Sequence, residues 1–238
     1  MLVAIPSKGR PGRVKSQSVI SCARVYVPED EYDAYVSLGT RNVAPVPRSV
    51  RGITATRNWI LDHADDPRVV MIDDDVKEQG WAQARAHRWV KQKLNEQQWL
   101  EEWDKLFDIA QQLGYRIWGV ATTGERRAIY PYRPFLWHTY VTASCMGIFA
   151  DAGLRFDESF PVKEDYELCL RCIREDGGVV GARYLYWESY HWNTEGGCRD
   201  YRTQEMEERA IRRLMRMYPG MIRRVTRGGS DYSIQIEF

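Results

Sequence analysis

Val69-Val70-Met71-Ile72-Asp73-Asp74-Asp75 is the stretch whose reading decides the architecture of this chain. A short apolar run rich in β-branched residues is the pattern of a strand buried on both faces, and here it stops on three consecutive carboxylates. In an open α/β sheet, ligands bind outside the carboxyl ends of the strands, so these acids are expected to line a site. Three adjacent anions repel one another unless solvent or a cation offsets them. If the strand continued, Asp73 and Asp75 would share a face, which suits a hard cation such as Mg²⁺ or Mn²⁺. The competing interpretation is a solvated turn that merely ends the strand, and the flanking segments decide between the two.

Upstream, Leu2 to Ile5 reads as a first strand feeding Pro6-Ser7-Lys8-Gly9-Arg10-Pro11-Gly12-Arg13, a loop of glycine, serine and cations suited to an anionic ligand. It lacks the spacing of a P-loop. Arg24 to Glu29 reads as a second strand, Tyr32 to Leu38 as a short helix stopped by Gly39, and Asn42 to Val46 as a third strand. A helix follows from about Thr54 to Ala64, with Arg57 and Asn58 in its first half, where a cation works against the helix dipole. This alternation of strand and helix predicts a mostly parallel central sheet flanked by helices, with right-handed crossovers.

Downstream, Trp81 to Arg116 is polar and reads as helical, with Trp99, Trp103, Leu106, Ala110 and Leu113 on one stripe, Asn95 and Gln98 as a capping box, and Gly114 as terminator. Trp118 to Ala121 resumes a strand. The loop from Arg126 to His138 interleaves arginines with aromatics, a pairing that can stack on bases and meet phosphate, or simply form a partly buried loop. Val141 to Phe149 reads as a small-residue strand in which Gly147 permits close approach of a ligand or of backbone. Phe160-Pro161-Val162-Lys163-Glu164-Asp165-Tyr166 opens a helix ended by Gly177-Gly178, and Val179 to Tyr186 is a further strand leading to His191, either a metal ligand or a buried, hydrogen-bonded histidine. Thr203 to Tyr218 is a last helix.

The chain has 238 residues, 44% of them hydrophobic and 28% charged, which is the composition of an ordinary globular protein. No apolar run is long enough to span a membrane, and Met1 to Pro6 reads as a strand and not a signal peptide. Five irregularly spaced cysteines argue against a disulfide framework, and Cys169-x-x-Cys172, with no second pair, reads as core thiols. The net charge is only +1, yet seven arginines and no acid lie between Arg209 and Arg227.

The order of these signals resembles that of nucleotide-sugar glycosyltransferases of the GT-A fold, from Met1 to about Asn193. More narrowly, Ile5-Pro6-Ser7-Lys8-Gly9-Arg10-Pro11, Thr56-Arg57-Asn58 and Phe160 to Tyr166 resemble the TET-associated glycosyltransferases of bacteriophages, thought to glycosylate 5-hydroxymethylcytosine in phage DNA. The resemblance implies a single GT-A-like domain over residues 1–238, with 1–125 mainly binding the nucleotide sugar and 126–238 mainly the acceptor. It implies a UDP-sugar donor, Mn²⁺ or Mg²⁺, and double-stranded DNA as partner, in the cytoplasm of an infected host. Asp165 would be the catalytic base of an inverting reaction. Pro6, Ser7, Lys8, Arg10, Arg13, Arg57, Asn58, Asp73 and Asp74 would hold the nucleotide sugar. Asp75, Asp73 and His191 would hold the metal, with Asp75 as the direct ligand and Asp73 nearer the ribose or bridging through water. Arg133, Trp137, His138, Ser144, Gly147, Glu164 and Trp192 would face the acceptor. A transferase acting on a glycan, lipid or protein, a metal-dependent nuclease, and a DNA-binding accessory protein are the alternatives.

Overall fold

In the computed structural model, residues 1–85, 88–130, 132–190, 203–227 and 230–236 are described; His191 and Trp192 lie outside them. Strand β1 (Leu2–Pro6) pairs in parallel with β2 (Arg24–Pro28), and β2 with β3 (Val43–Val46), with α1 (Tyr32–Ser37) between them in sequence. Helix α2 (Ile53–Asp62) returns the chain to β4 (Arg68–Ile72), parallel to β1 in the register Leu2↔Val69, Val3↔Val70, Ala4↔Met71. That register makes the basic loop after β1 and the acids after β4 emerge at the same edge of the sheet.

After the acids come β5 (Val76–Arg85), β6 (Arg88–Gln92), α3 (Glu96–Leu113), β7 (Ile117–Ala121), β8 (Phe135–Leu136), β9 (Cys145–Phe149), α4 (Glu164–Asp176) and β10 (Val180–Ser189). The sheet order is β3-β2-β1-β4-β9-β7-β10-β5-β6, with β8 on β10. Strands β1, β2, β3, β4, β6, β7 and β10 run one way and β5, β8 and β9 the other, which is the expected mostly parallel arrangement. Helix α3 covers one face, burying Trp99, Trp103, Leu106 and Phe107 against Val70, Ile72, Trp118 and Trp187. The other face is covered by α2, α4 and α5 (Gln204–Met217). Among the described residues no helix is long and apolar enough to cross a membrane.

Three expectations fail locally. Trp81–Arg85 and Arg88–Gln92 pair as antiparallel strands and are not the start of the helix. The helical stripe begins only at the capping box, where Asn95 Oδ1 accepts from Gln98 N at 2.9 Å and Gln98 Oε1 from Asn95 N at 3.0 Å. Upstream of it β5 lies antiparallel on β10, and Gly80 has φ +147° where an added Cβ would lie 2.0 Å from the Gln92 carbonyl oxygen. Long-range pairing wins there over weak helical propensity. At the other end of α3, Leu113 is exposed and leaves the buried stripe to Trp99, Trp103, Leu106 and Ala110. Strand β9 is also shorter than expected, because residues 141–144 turn along a cleft instead of pairing. Cys169 and Cys172 are buried free thiols, as read from the sequence, and burial pushes both thiols up.

Candidate active site

A cleft of about 780 Å³ opens at the carboxyl ends of β1 to β4. One wall is the basic loop, with Pro6, Ser7, Lys8 and Arg10; its floor is Asp73, Asp74 and Asp75. The opposite wall is residues 140 and 142–144 together with the first turn of α4, which presents Glu164 and Asp165. Seven of the expected nucleotide-sugar residues and the expected base therefore meet in one place, brought together from segments far apart in sequence.

The three acids are not equivalent. Asp74 accepts from Ser7 Oγ and from the Arg10 guanidinium, so protein groups occupy it. Ser7 Oγ also lies 2.9 Å from the Tyr35 hydroxyl, which accepts from Arg10 N at 3.0 Å. Arg10 reaches Asp75 Oδ2 at 3.4 Å. The turn is pinned by Asp73 N donating to Ser144 O at 3.0 Å and by Ser16, whose N–H donates to Asp74 O at 3.2 Å. Enclosure by protein pushes the Asp73 carboxyl up to about 7; Arg57 opposes this, and Asp75, Asp74 and Asp165 add to it. The 31% of that side chain left exposed opens into the cleft.

Across the cleft, Arg57 reaches from α2 to form a buried ion pair with Glu164 and lies 3.8 Å from Asp73 Oδ1. Asp165 accepts from the Tyr140 hydroxyl, and its Oδ1 accepts from Tyr166 N at 2.9 Å. Burial first, then the Asp165 charge, holds the Tyr140 hydroxyl well above the usual tyrosine range, so it stays a donor. The Tyr140 and Tyr166 rings stack with centroids 3.9 Å apart.

Other expected residues lie elsewhere. Arg13 sits outside the cleft, donating to Gly9 O at 2.8 Å. Asn58 is structural: its amide nitrogen donates to Phe156 O at 2.9 Å, and its oxygen accepts from Phe156 N at 2.8 Å. Gly147 faces the buried Trp118 indole, not the cleft. Trp137 stacks on Phe135, and its carbonyl accepts from Val179 N at 2.7 Å at the start of β10. His138 Nε2 lies 2.8 Å from Gly177 O, at the C-terminus of α4, while Asp165 is in its first turn. Helical rise separates those ends by roughly 18 Å. Arg133 does not line the cleft, whereas Ser144 does, with a buried hydroxyl that has no hydrogen-bond partner. The C-terminal arginines find distant acids: Arg213 meets Asp157 at 3.5 Å, and Arg224 shares Glu208 with Arg212.

Sequence reasoning missed Tyr140, Lys163, Arg48 and Arg51, all of which line the cleft. Arg48 and Arg51 follow β3, so the strand-end rule applied to that strand would have found them. Nothing local marks Tyr140.

The sequence profile of TET-associated glycosyltransferases matches residues 1–196. The chain belongs to that family. The match takes in every cleft element and ends before α5. This TET-associated glycosyltransferase is similar in fold to the mannosyltransferase PcManGT from Pyrobaculum calidifontis, solved in complex with GDP-Man and Mn²⁺, at TM-score 0.53 and 14% identity over 89% of this chain and 64% of that one. It is similar to glucosyl-3-phosphoglycerate synthase from Mycobacterium tuberculosis, solved with Mn²⁺, UDP-Glc and glycerol 3-phosphate, at TM-score 0.50 and 13% identity over 95% and 83%. Staphylococcus aureus TarS 1-349 matches at TM-score 0.45 and 13% identity, over 79% of this chain and 60% of that one. The shared fold is GT-A. No curated protein matches the sequence.

Proposed function

We propose that this chain transfers a sugar from a UDP-sugar to the hydroxyl of 5-hydroxymethylcytosine in phage DNA, with inversion and with help from a divalent cation. The observation that carries this reading is the placement of Asp165, oriented by Tyr140, across one cleft from Asp73 and Asp75. The part up to about residue 125 serves the donor and the remainder the acceptor and the chemistry.

Among the described residues no three His, Cys, Asp or Glu side chains form a protein-only metal cluster. The donor set nevertheless fits Mg²⁺ or Mn²⁺. Two hard carboxylates, Asp73 and Asp75, border the cleft, mutual repulsion helps to hold Asp73 near 7, and such ions are usually held by one or two carboxylates plus substrate phosphates. His191 completes the set in this reading. When bound, the cation neutralises charge developing on the leaving diphosphate. Lys8, Arg48 and Arg51 add positive charge along the same cleft, while Arg10 and Arg57 hold the acids in place.

In the transfer, the acceptor oxygen forms a bond to the anomeric carbon as the bond to the diphosphate oxygen breaks. The hydroxyl proton passes to the Asp165 carboxylate. Tyr140, kept protonated, fixes that carboxylate by donating to Oδ2. An acceptor hydroxymethyl group is reachable in the major groove or by flipping the base out. The deciding experiment treats 5-hydroxymethylcytosine DNA with the protein, Mn²⁺ and a panel of UDP-sugars, then weighs the released nucleosides. A sugar-sized mass gain that EDTA suppresses is expected. Transfer only to glycan acceptors, or strand cleavage without sugar nucleotide, would overturn the reading.

A further inference from the structure

The family match ends at residue 196, yet the chain continues into α5 and a hairpin of β11 (Ile222–Arg227) and β12 (Ser230–Ile236), which pack against the same core as α4. Three contacts run from this unit to the segment that carries Asp165. Glu207 of α5 pairs with Lys163 at 2.9 Å, and both side chains are buried, at 7% and 8% exposure. The Tyr166 hydroxyl donates to Ile234 O on β12 at 3.3 Å. The Tyr218 hydroxyl donates to Glu167 Oε1 at 2.8 Å.

Of the residues so held, Lys163 is the one that directly precedes the acids. Its backbone is left-handed, φ +60° and ψ 26°, a conformation unfavourable for a side-chain-bearing residue unless its surroundings impose it. It immediately precedes Glu164 and Asp165, so its backbone dihedrals aim the first turn of α4 into the cleft. Its ammonium lies over the Tyr166 ring at 5.3 Å, and that ring stacks on Tyr140, the donor to Asp165. A surface lysine would have no reason to bend into the protein; a buried one needs a partner, and Glu207 is placed to be that partner.

We propose that the C-terminal unit is a clamp on the catalytic segment, with Glu207 acting as a positioning residue that holds Lys163 left-handed and thereby aims Asp165. This rests on Asp165 being the base in the proposed transfer. The transfer of a proton needs the carboxylate within hydrogen-bond reach, and a misplacement of about 1 Å is enough to cost roughly 100-fold in rate.

The test uses the full chain with Glu207→Gln and with the pair Lys163→Gly/Glu207→Gln, since glycine adopts the left-handed region without strain. With 5-hydroxymethylcytosine duplex and UDP-glucose, Glu207→Gln is expected to lose about 100-fold in kcat with KM for the donor within twofold, and the double variant to regain most of that loss. Hydrogen exchange read by mass spectrometry provides an arm independent of any acceptor. In Glu207→Gln, amides in residues 160–168 should exchange faster while those of β1 and β4 do not change. Unaltered exchange in 160–168, or a folded Glu207→Gln protein with wild-type kcat, would overturn the clamp. Faster exchange with no transfer by the wild-type protein to any DNA would leave the clamp standing and remove the proposed reaction.

Discussion

Arg57 on α2 and Glu164 at the start of α4, 107 positions apart, form a buried ion pair that ties the two helices together beside the cleft. Both residues are less than one-tenth exposed. Burial raises the Glu164 pKa and Arg57 opposes that rise, so the pair is held by mutual compensation.

Removing one partner of such a pair strands the other. Arg57→Ala should destabilise the fold by about 3–5 kcal/mol, read as a fall in the urea midpoint. A fall below about 1 kcal/mol would mean that water solvates Glu164 in the native protein.

Asp165→Asn keeps the shape and removes the base. Transfer should fall by about 100-fold to 10,000-fold while UDP binding, measured calorimetrically with Mn²⁺, stays within a few-fold. Tyr140→Phe should give a smaller loss, because it releases the carboxylate without discharging it. Equal activity of Asp165→Asn and wild type would move the base elsewhere.

The Asp73 carboxyl stands near 7, above its unfolded value, so its protonated form is favoured by folding. Its contribution to stability is complete below the ordinary aspartate range and is lost as pH rises through about 7. In EDTA, the wild type should therefore lose more Tm than Asp73→Asn between pH 6 and pH 8. A carboxylate must be ionised to bind a cation, so Mn²⁺ should bind more tightly at pH 8 than at pH 6 and release protons on binding. Parallel Tm profiles for the two proteins would contradict this.

Gly147 is a packing residue. An alanine Cβ there would lie 2.0 Å from Trp118 Cε2, inside a filled core. Gly147→Ala should cost at least about 1–3 kcal/mol in equilibrium unfolding. An acceptor-contact role predicts instead a stable protein with a raised KM for DNA.

The arginine-rich C-terminal surface is partly neutralised, since Arg224 pairs with Glu208. If it also grips DNA, Arg223→Glu with Arg224→Glu should lower duplex affinity and reduce the slope of log affinity against log salt by about 2. DNA modification that survives both changes at moderate salt would rule this surface out.

Much of the molecule was legible from residue order. Apolar runs located β1, β2, β4, β7 and β10, and the stripe of Trp99, Trp103, Leu106 and Ala110, bounded by Asn95 and Gly114, located α3. The abrupt change from Ile72 to Asp73, with the rule that sites lie at strand carboxyl ends, placed the acids, the loop after β1 and the helix opening at Glu164 on one side of the sheet. Such features depend on local periodicity and caps, which a few neighbouring residues encode.

Other features were decided only by tertiary structure, because they depend on partners far away in the chain. Strands β5 and β6 form in place of helix because β10 offers β5 an edge. Trp137 and His138 have the composition of a binding loop, yet β8 and the end of α4 fix them away from the cleft. The single Asp-Asp-Asp run forms one cleft floor, yet Asp74 is taken up by Ser7 and Arg10 while Asp73 keeps 31% of its side chain exposed. Lys163, an unremarkable cation in the sequence, is buried with a left-handed backbone and pairs with Glu207 from a helix beyond the matched residues 1–196. Periodicity determined the elements and the end of the sheet on which chemistry gathers; which charges neutralise one another there was settled by packing alone.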